Sequence, residues 1–202
     1  MNDRKSASVE TEAATPRAAD RILDVARDLF YREGIRAIGV DEIVRRAGVT
    51  KPSLYRSFSS KDELAASYLK VYEAEFWARF DEAVAAHPGD PRRQIVAFLG
   101  GVGERADVEG YRGCGMTNAA VEYPEGDHPA RLVSENNKIE LRRRLRRMAA
   151  DMGAADPDTL GDGLLLLIEG VYISGQLFGA GGPAASVAKN ADLLIAASLA
   201  AR

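Results

Sequence analysis

Twenty residues, Gly39 to Phe58, constrain this chain more than any other stretch, because they hold two short helical patterns separated by one turn. Val40, Ile43, Val44 and Ala47 recur at helical spacing, so one side of a first helix can be buried. Gly48 stops it, as a residue free to take positive φ. Thr50 is placed to cap a second helix, and Pro52 sits near its first position, where a missing N–H costs nothing. Leu54 and Phe58, four apart, anchor that helix inward, which leaves Lys51, Ser53, Tyr55, Arg56 and Ser57 facing outward. The pair reads as a helix-turn-helix whose second helix exposes hydrogen-bond donors and a cation to solvent.

The rest of the chain reads as helices around this unit. Residues 1–15 are polar, with Val9 as the one large apolar residue, and are expected to be a disordered arm. Pro16 opens a helix with Ile22, Val25, Ala26, Leu29 and Phe30 on its buried stripe, and Gly34 closes it. Ser60 and Glu63 form a capping box at the start of a long helix carrying Leu64, Tyr68, Phe76 and Phe80. That helix should last to His87-Pro88-Gly89 and leave the first bundle for a second. Further helices are expected from Asp90 or Pro91, weakened by Gly100, Gly101 and Gly103, then from Thr117 to Tyr123 and from Pro129 to Met152. Leu132, Val133, Ile139, Leu141 or Leu145, and Met148 are the expected apolar face of the last of these. No β pattern occurs, so the chain is expected to be all-α, with residues 16–66 as one domain and 67–202 as a second.

Composition narrows the class. A chain of 202 residues buries roughly 70% of its unfolded surface, enough for a proper core. No apolar run approaches the ~20 residues of a membrane span, the first residues lack a signal-peptide pattern, and Cys114 is the single cysteine. A soluble, cytoplasmic protein with no membrane partner is the expectation. The net charge is −3, yet residues 1–66 carry 12 basic and 11 acidic side chains, and no acid falls between Ile43 and Lys61. Arg45, Arg46, Lys51, Arg56 and Lys61 therefore make a basic patch suited to orienting the protein on a polyanion.

The last two helices are apolar over more than one face, since Leu164 to Ile168 cannot all point one way at ~100° per residue. Either the helix is buried on every side within one subunit, or two such helices from each of two chains form a four-helix interface. The second is favoured, because a chain-terminal helix is rarely surrounded within one subunit. Leu164, Ile168, Val171, Gly175, Phe178, Ala191, Leu194, Ile195 and Ser198 are the candidate interface residues.

Residues from about Arg17 to Leu69 resemble the DNA-binding domain of TetR-family transcriptional regulators. The likeness rests on Ala26-Arg27-Asp28-Leu29-Phe30, Gly34-Ile35, Asp41-Glu42-Ile43, Ala47-Gly48-Val49-Thr50-Lys51, Leu54-Tyr55, Phe58 and Ser60-Lys61-Asp62-Glu63-Leu64. The resemblance implies a homodimer whose recognition helices enter successive major grooves of a palindromic operator. It also implies a C-terminal pocket through which a small molecule shifts their spacing, usually to relieve repression. Two positions depart from the pattern. Gly39 stands where a Ser or Thr hydroxyl often caps the helix, and Pro52 where small residues are frequent, which should alter base preference.

On this footing Lys51 pairs with phosphate or a guanine edge, and Tyr55 donates to phosphate or packs on a thymine methyl. Thr50, Ser53, Arg56 and Lys61 reach phosphate, and one of Arg45 and Arg46 faces the DNA, with Pro52 on the same surface. Trp77, Phe80, Phe98, Met116, Tyr123, Glu169 and Tyr172 are the candidate effector-pocket residues, mixing aromatic walls with a few polar groups. Glu169 in its apolar helix needs a partner. Arg142 to Arg147 read as a solvated, ion-paired surface, and Cys114 as an unreactive apolar residue with no basic neighbour beyond Arg112. His87 and His128 lie in turns without metal-ligand spacing, so no metal or cofactor is expected. An enzyme fails on inventory: no nucleophile with a base, no metal spacing and no phosphate loop. The alternative within the fold is an effector-independent DNA binder of nucleoid or cell-division type.

Overall fold

A computed structural model describes residues 17–200, and among these described residues there are nine α-helices, one 3-10 turn and no strand. In order they are α1 (Ala18–Glu33), α2 (Val40–Ala47), α3 (Lys51–Ser57), α4 (Lys61–Ala85), α5 (Pro91–Ala106), α6 (Gly115–Glu122), α7 (Pro129–Asp151), α8 (Pro157–Phe178), the 3-10 turn (Pro183–Ser186) and α9 (Val187–Ala200). The expectations for the 1–15 arm and for Pro16 lie outside the described residues.

Local chemistry accounts for the boundaries. Gly48 ends α2 in the left-handed region at φ 61°, and Thr50 accepts a bond from the Ser53 N–H to start α3. Ser60 accepts the Glu63 N–H at 3.1 Å, but the Glu63 carboxylate reaches back one residue further than a capping box requires, to the Ser59 N–H at 2.6 Å. Asp90 and Asp156 cap α5 and α8 in the same way, each with a proline next in line. The three glycines expected to weaken α5 do not interrupt it. Gly103 has a packing reason instead, since a Cβ there would stand 2.8 Å from the Ala184 carbonyl.

One buried core runs through the molecule. Ile22, Ala26, Leu29, Ile43 and Leu54 close the first three helices against Leu64 and Tyr68 of α4. Further along α4, Phe76 and Phe80 meet Phe98 of α5 edge-on, with ring centroids 5.7 and 4.9 Å apart. α4 thus belongs to both halves, and the expected boundary at residue 66 falls within it. Apolar spacing misassigned part of α7: Leu132 and Ile139 are exposed, while Ser134 and Asn137 turn inward. Ser134 donates to the Ala130 carbonyl and Asn137 donates to Glu73, while the Asn137 Oδ1 is left without a partner among the described residues.

The arginine run on α7 is ion-paired, as expected. Arg142 and Arg146 both hold Asp162 on α8, Arg146 also meets Asp158, and Arg143 and Arg144 share Glu140. α7 and α8 approach closely at Gly161, where a Cβ would stand 2.7 Å from the Arg146 backbone. α8 is nonetheless long and apolar enough, by length and composition, to cross a membrane, contrary to the sequence expectation. Its inner face is packed into this bundle and its first turns are ion-paired to α7.

The candidate interface list needs correction. Leu164, Ile168, Val171 and Gly175 are buried within the single subunit because α8 turns that face toward α5, α7 and α9, and Ala191 and Ile195 because α9 packs on α5 and α8. Leu194 and Ser198 are half-buried, and only Phe178 of the list is exposed. The uncovered stripe is Leu166, Gly170, Ile173 and Leu177, at helical spacing along α8, with Phe178 beside it and Leu193 on α9.

Candidate DNA-binding surface and ligand cleft

The outward face of α3 follows from its anchors. With Leu54 fully buried and Phe58 nearly so, Lys51, Pro52, Tyr55, Arg56 and Ser57 stand exposed and Ser53 half-buried; Tyr55 keeps 50% of its surface open. Thr50 and Ser53 hydroxyls lie 3.2 Å apart, and Arg56 donates to the Ser53 hydroxyl at 2.7 Å. Lys61, half-buried, turns its ammonium toward the Arg36 carbonyl at 3.4 Å, and burial lowers its pKa.

The basic patch is less isolated in space than in sequence. Asp41 and Glu42 lie just before the acid-free window, and the helix-turn-helix folds them onto it. Lys51 pairs with Asp41 at 2.7 Å, and Glu42 takes Arg45 at 2.6 Å and Arg46 at 2.5 Å. Hydrogen bonds from both arginines hold the Glu42 carboxyl at about 2, well below its ordinary value. A polyanion docking here must exchange these partners, and exposed pairs of this kind are weak enough to be exchanged.

A cleft of about 520 Å³ opens where α1 meets α4, α5, the loop before α6, and α8. Five of the chain's seven tyrosines line it: Tyr31, Tyr68, Tyr72, Tyr111 and Tyr172. Burial raises the pKa of Tyr68, Tyr111 and Tyr172, so these phenols stay neutral donors. Arg79 and Arg105 line the same space, and the Arg105 pKa is lowered by burial and by the charge of Arg79. A second cleft of about 540 Å³ lies between the end of α1, α6 and α8.

Of the seven expected pocket residues, Tyr172 lines both clefts and Glu169 the second alone. Glu169 has the partners it needed, Lys138 at 2.6 Å and the Thr117 hydroxyl at 2.9 Å. The other five belong elsewhere. Trp77 lies under the Arg144 guanidinium at 4.0 Å, Phe80 and Phe98 pack on each other, and Met116 is fully buried. Tyr123 stacks on His128 at 3.7 Å. Large apolar residues fill a core before they line a cavity; the pattern that marked the cleft was Tyr68, Tyr72 and Arg79 along one side of α4, polar at their tips. Cys114 is buried and does have a basic neighbour, the Lys138 ammonium 3.6 Å from its sulfur. No cluster of potential metal ligands occurs among the described residues.

Three ties join the helix-turn-helix unit to the helices behind it. Arg27 of α1 pairs with Glu75 of α4 at 2.5 Å. The Tyr31 hydroxyl donates to the Gly113 carbonyl at 3.2 Å and accepts the Arg112 N–H at 3.0 Å. Glu122 of α6 accepts the Arg36 N–H at 2.7 Å, while the Arg36 guanidinium donates to the Glu122 carbonyl at 2.8 Å. The first two stand in the wall of the tyrosine-lined cleft and the third in the wall of the second.

Comparison with known proteins places this arrangement. Residues 22–68 match the family model for bacterial regulatory proteins of the tetR family. The HTH-type transcriptional regulator Rv1255c of Mycobacterium tuberculosis is 44% identical over 55 residues, 27% of each chain. The match therefore spans little more than a quarter of that curated relative. Solved structures extend it. SCO4454, a TetR-family regulator from Streptomyces coelicolor, has a TM-score of 0.81 at 29% identity, covering 91% of this chain and 95% of its own. A regulator of the same type from Streptomyces avermitilis, sav143, has a TM-score of 0.71 at 30% identity, covering 91% and 98%.

Proposed function

The chain belongs to the TetR family of transcriptional regulators, and from that premise we propose that it acts as a homodimeric repressor released from a palindromic operator when a small molecule enters the tyrosine-lined cleft. The observation that carries this reading is the position of α1, which packs on α2 and α3 at one face and forms a wall of the cleft with Arg27 and Tyr31 at another. A ligand in the cleft touches the element that orients the DNA-facing helix, so its binding energy can differ between two poses of that helix.

On the DNA side, Lys51, Tyr55, Arg56, Thr50 and Ser53 supply donors on one exposed surface, with Arg45 and Pro52 beside them. Lys61 contributes from the start of α4 after leaving the Arg36 carbonyl. Two such surfaces must lie about 34–36 Å apart to meet successive major grooves. The exposed stripe of Leu166, Ile173, Leu177, Phe178 and Leu193 supplies the apolar face through which two chains set that spacing. A cleft of several hundred Å³ favours this reading over an effector-independent DNA binder, whose C-terminal core has no reason to stay open.

Genome-wide mapping of bound DNA tests it. The expected result is a dominant palindrome beside the protein's own gene, bound in a gel-shift titration by the wild type and much more weakly by Tyr55→Ala and Lys51→Ala. Loss of the Lys51 phosphate contact should also lower the salt slope by about 0.9 per half-site. Many scattered, weakly specific sites, or unchanged affinity in both variants at matched salt, would overturn the reading.

A further inference from the structure

We propose that the tyrosine-lined cleft takes an amphiphilic organic carboxylate, its anionic head within reach of Arg79 and Arg105 and its flat apolar body against the tyrosines. This rests on the reading that the cleft holds an effector, and it adds the effector's chemical class.

The charges of the cleft carry the inference. Arg27 is paired with Glu75 and Arg32 with Asp28, so both ion pairs are closed. Two cations remain, Arg79 and Arg105, and among the described residues neither has a carboxylate partner within ion-pair distance. The Nε of Arg79 is buried with no hydrogen-bond partner among the described residues. The two acids left over, Asp24 and Glu109, are exposed to solvent, whereas Arg79 and Arg105 are half-buried. Two partly desolvated guanidinium groups close enough to repel each other are costly, and each retains donors in a fork that matches a carboxylate. A single anionic head removes both penalties, and a cationic ligand would add to them.

The remaining wall sets the body of the ligand. Tyr31 and Tyr72 stack with ring centroids 6.4 Å apart, and Tyr68 meets Tyr72 edge-on at 6.3 Å. These rings offer apolar area at little entropic cost. The Tyr68 ring lines this space, while its hydroxyl is buried beside Gly115, where a Cβ would stand 2.6 Å from it.

The test uses the full chain and three probes of one shape: naphthalene carboxylate, naphthalene methanol and naphthylmethylammonium, titrated by calorimetry. The carboxylate should bind at least about tenfold more tightly than the alcohol, with the ammonium weakest. Arg79→Gln and Arg105→Gln should each erase most of that preference, and Arg105→Lys should retain part of it; thermal melts confirm which variants fold. An alcohol that binds as tightly as the carboxylate, a preference that survives both Gln variants, or no carboxylate binding at millimolar concentration would each overturn the proposal. Operator affinity measured alongside separates the two readings. Carboxylate binding that leaves DNA affinity unchanged upholds the site and sinks effector release.

Discussion

Two glycines on α8 allow the same substitution to be tried against opposite surroundings. At Gly161 a Cβ would stand 2.5 Å from Arg146 Cγ and 2.7 Å from its backbone N and Cα. Backbone atoms cannot rotate away, so α7 and α8 must part by several tenths of an ångström, disturbing the adjacent Asp162 pairs with Arg142 and Arg146. Overpacking of this kind costs about 1–3 kcal/mol, and backbone contact puts it toward the upper end. Replacing a helical glycine by alanine returns up to about 1 kcal/mol. The clash wins, and Gly161→Ala should be destabilised by about 1–2 kcal/mol, a fall in Tm of about 2–8 °C for a chain of this size. At Gly170 nothing lies within 4 Å of the added carbon. There only the propensity term operates, so Gly170→Ala should stabilise the subunit by up to about 1 kcal/mol. Because Gly170 lies on the proposed pairing stripe, the comparison is made at several protein concentrations, or in a monomeric background, by urea titration with Tm as a second readout. A shift of the same sign in both variants would refute the reasoning, since it would mean that helix propensity, not the α7–α8 approach, governs this helix.

Asp41→Asn should raise operator affinity by a few-fold, because Lys51 no longer has to leave a carboxylate to meet phosphate; the gain should vanish in a Lys51→Ala background and shrink at high salt. Anisotropy titrations on the mapped operator decide this, and weaker binding by Asp41→Asn would count against the exchange of partners. Leu177→Asp on the exposed stripe should convert a dimer to a folded monomer in light scattering, with operator binding lost, whereas Leu132→Asp on exposed α7 surface should do neither. Glu42 and Glu140 are both held at about 2 by paired arginines, below their ordinary value of 4.5. Stability they contribute is therefore present above about pH 4.5 and lost as the pH falls toward about 2, and a melting temperature flat across that window would contradict it.

Helix starts and stops were legible because they depend on neighbours in sequence. Thr50, Ser60 and Asp90 cap helices through bonds that span three residues, and Gly48 turns the chain by its own φ. The inward anchors of α3 were legible for the same reason, since Leu54 and Phe58 share a face by helical period. Which face of α8 meets which neighbour was not, because periodicity groups Leu164 with Ile168 and Leu166 with Ile173 without saying which group the subunit covers. The cleft stayed hidden for a related cause. Its walls combine Arg27 and Tyr31 with Arg105 and Tyr111, far apart in the chain, and amphipathic side chains give no strong apolar signal. The partners of Lys51 and Arg45 were not legible because they sit one or two residues outside the acid-free window and reach it only through the fold.

The length of α4 carries an angular consequence. Only Phe58, Ser59 and Ser60 separate the end of α3 from the start of α4, so α3, the proposed DNA-facing helix, has almost no slack against it. Twenty-five residues at 1.5 Å each make a rod of about 37 Å. Phe76 and Phe80 are packed about 22–29 Å from its start, so a tilt of about 5° about them sweeps the near end through about 2 Å, more than half the 3.4 Å step between bases along one strand. Two subunits of the proposed dimer tilting in opposite senses would misplace the paired helices by more than one base step. Fidelity of the proposed dimer to one operator would therefore set a tolerance of a few degrees on how the aromatic cluster of α4 and α5 is seated.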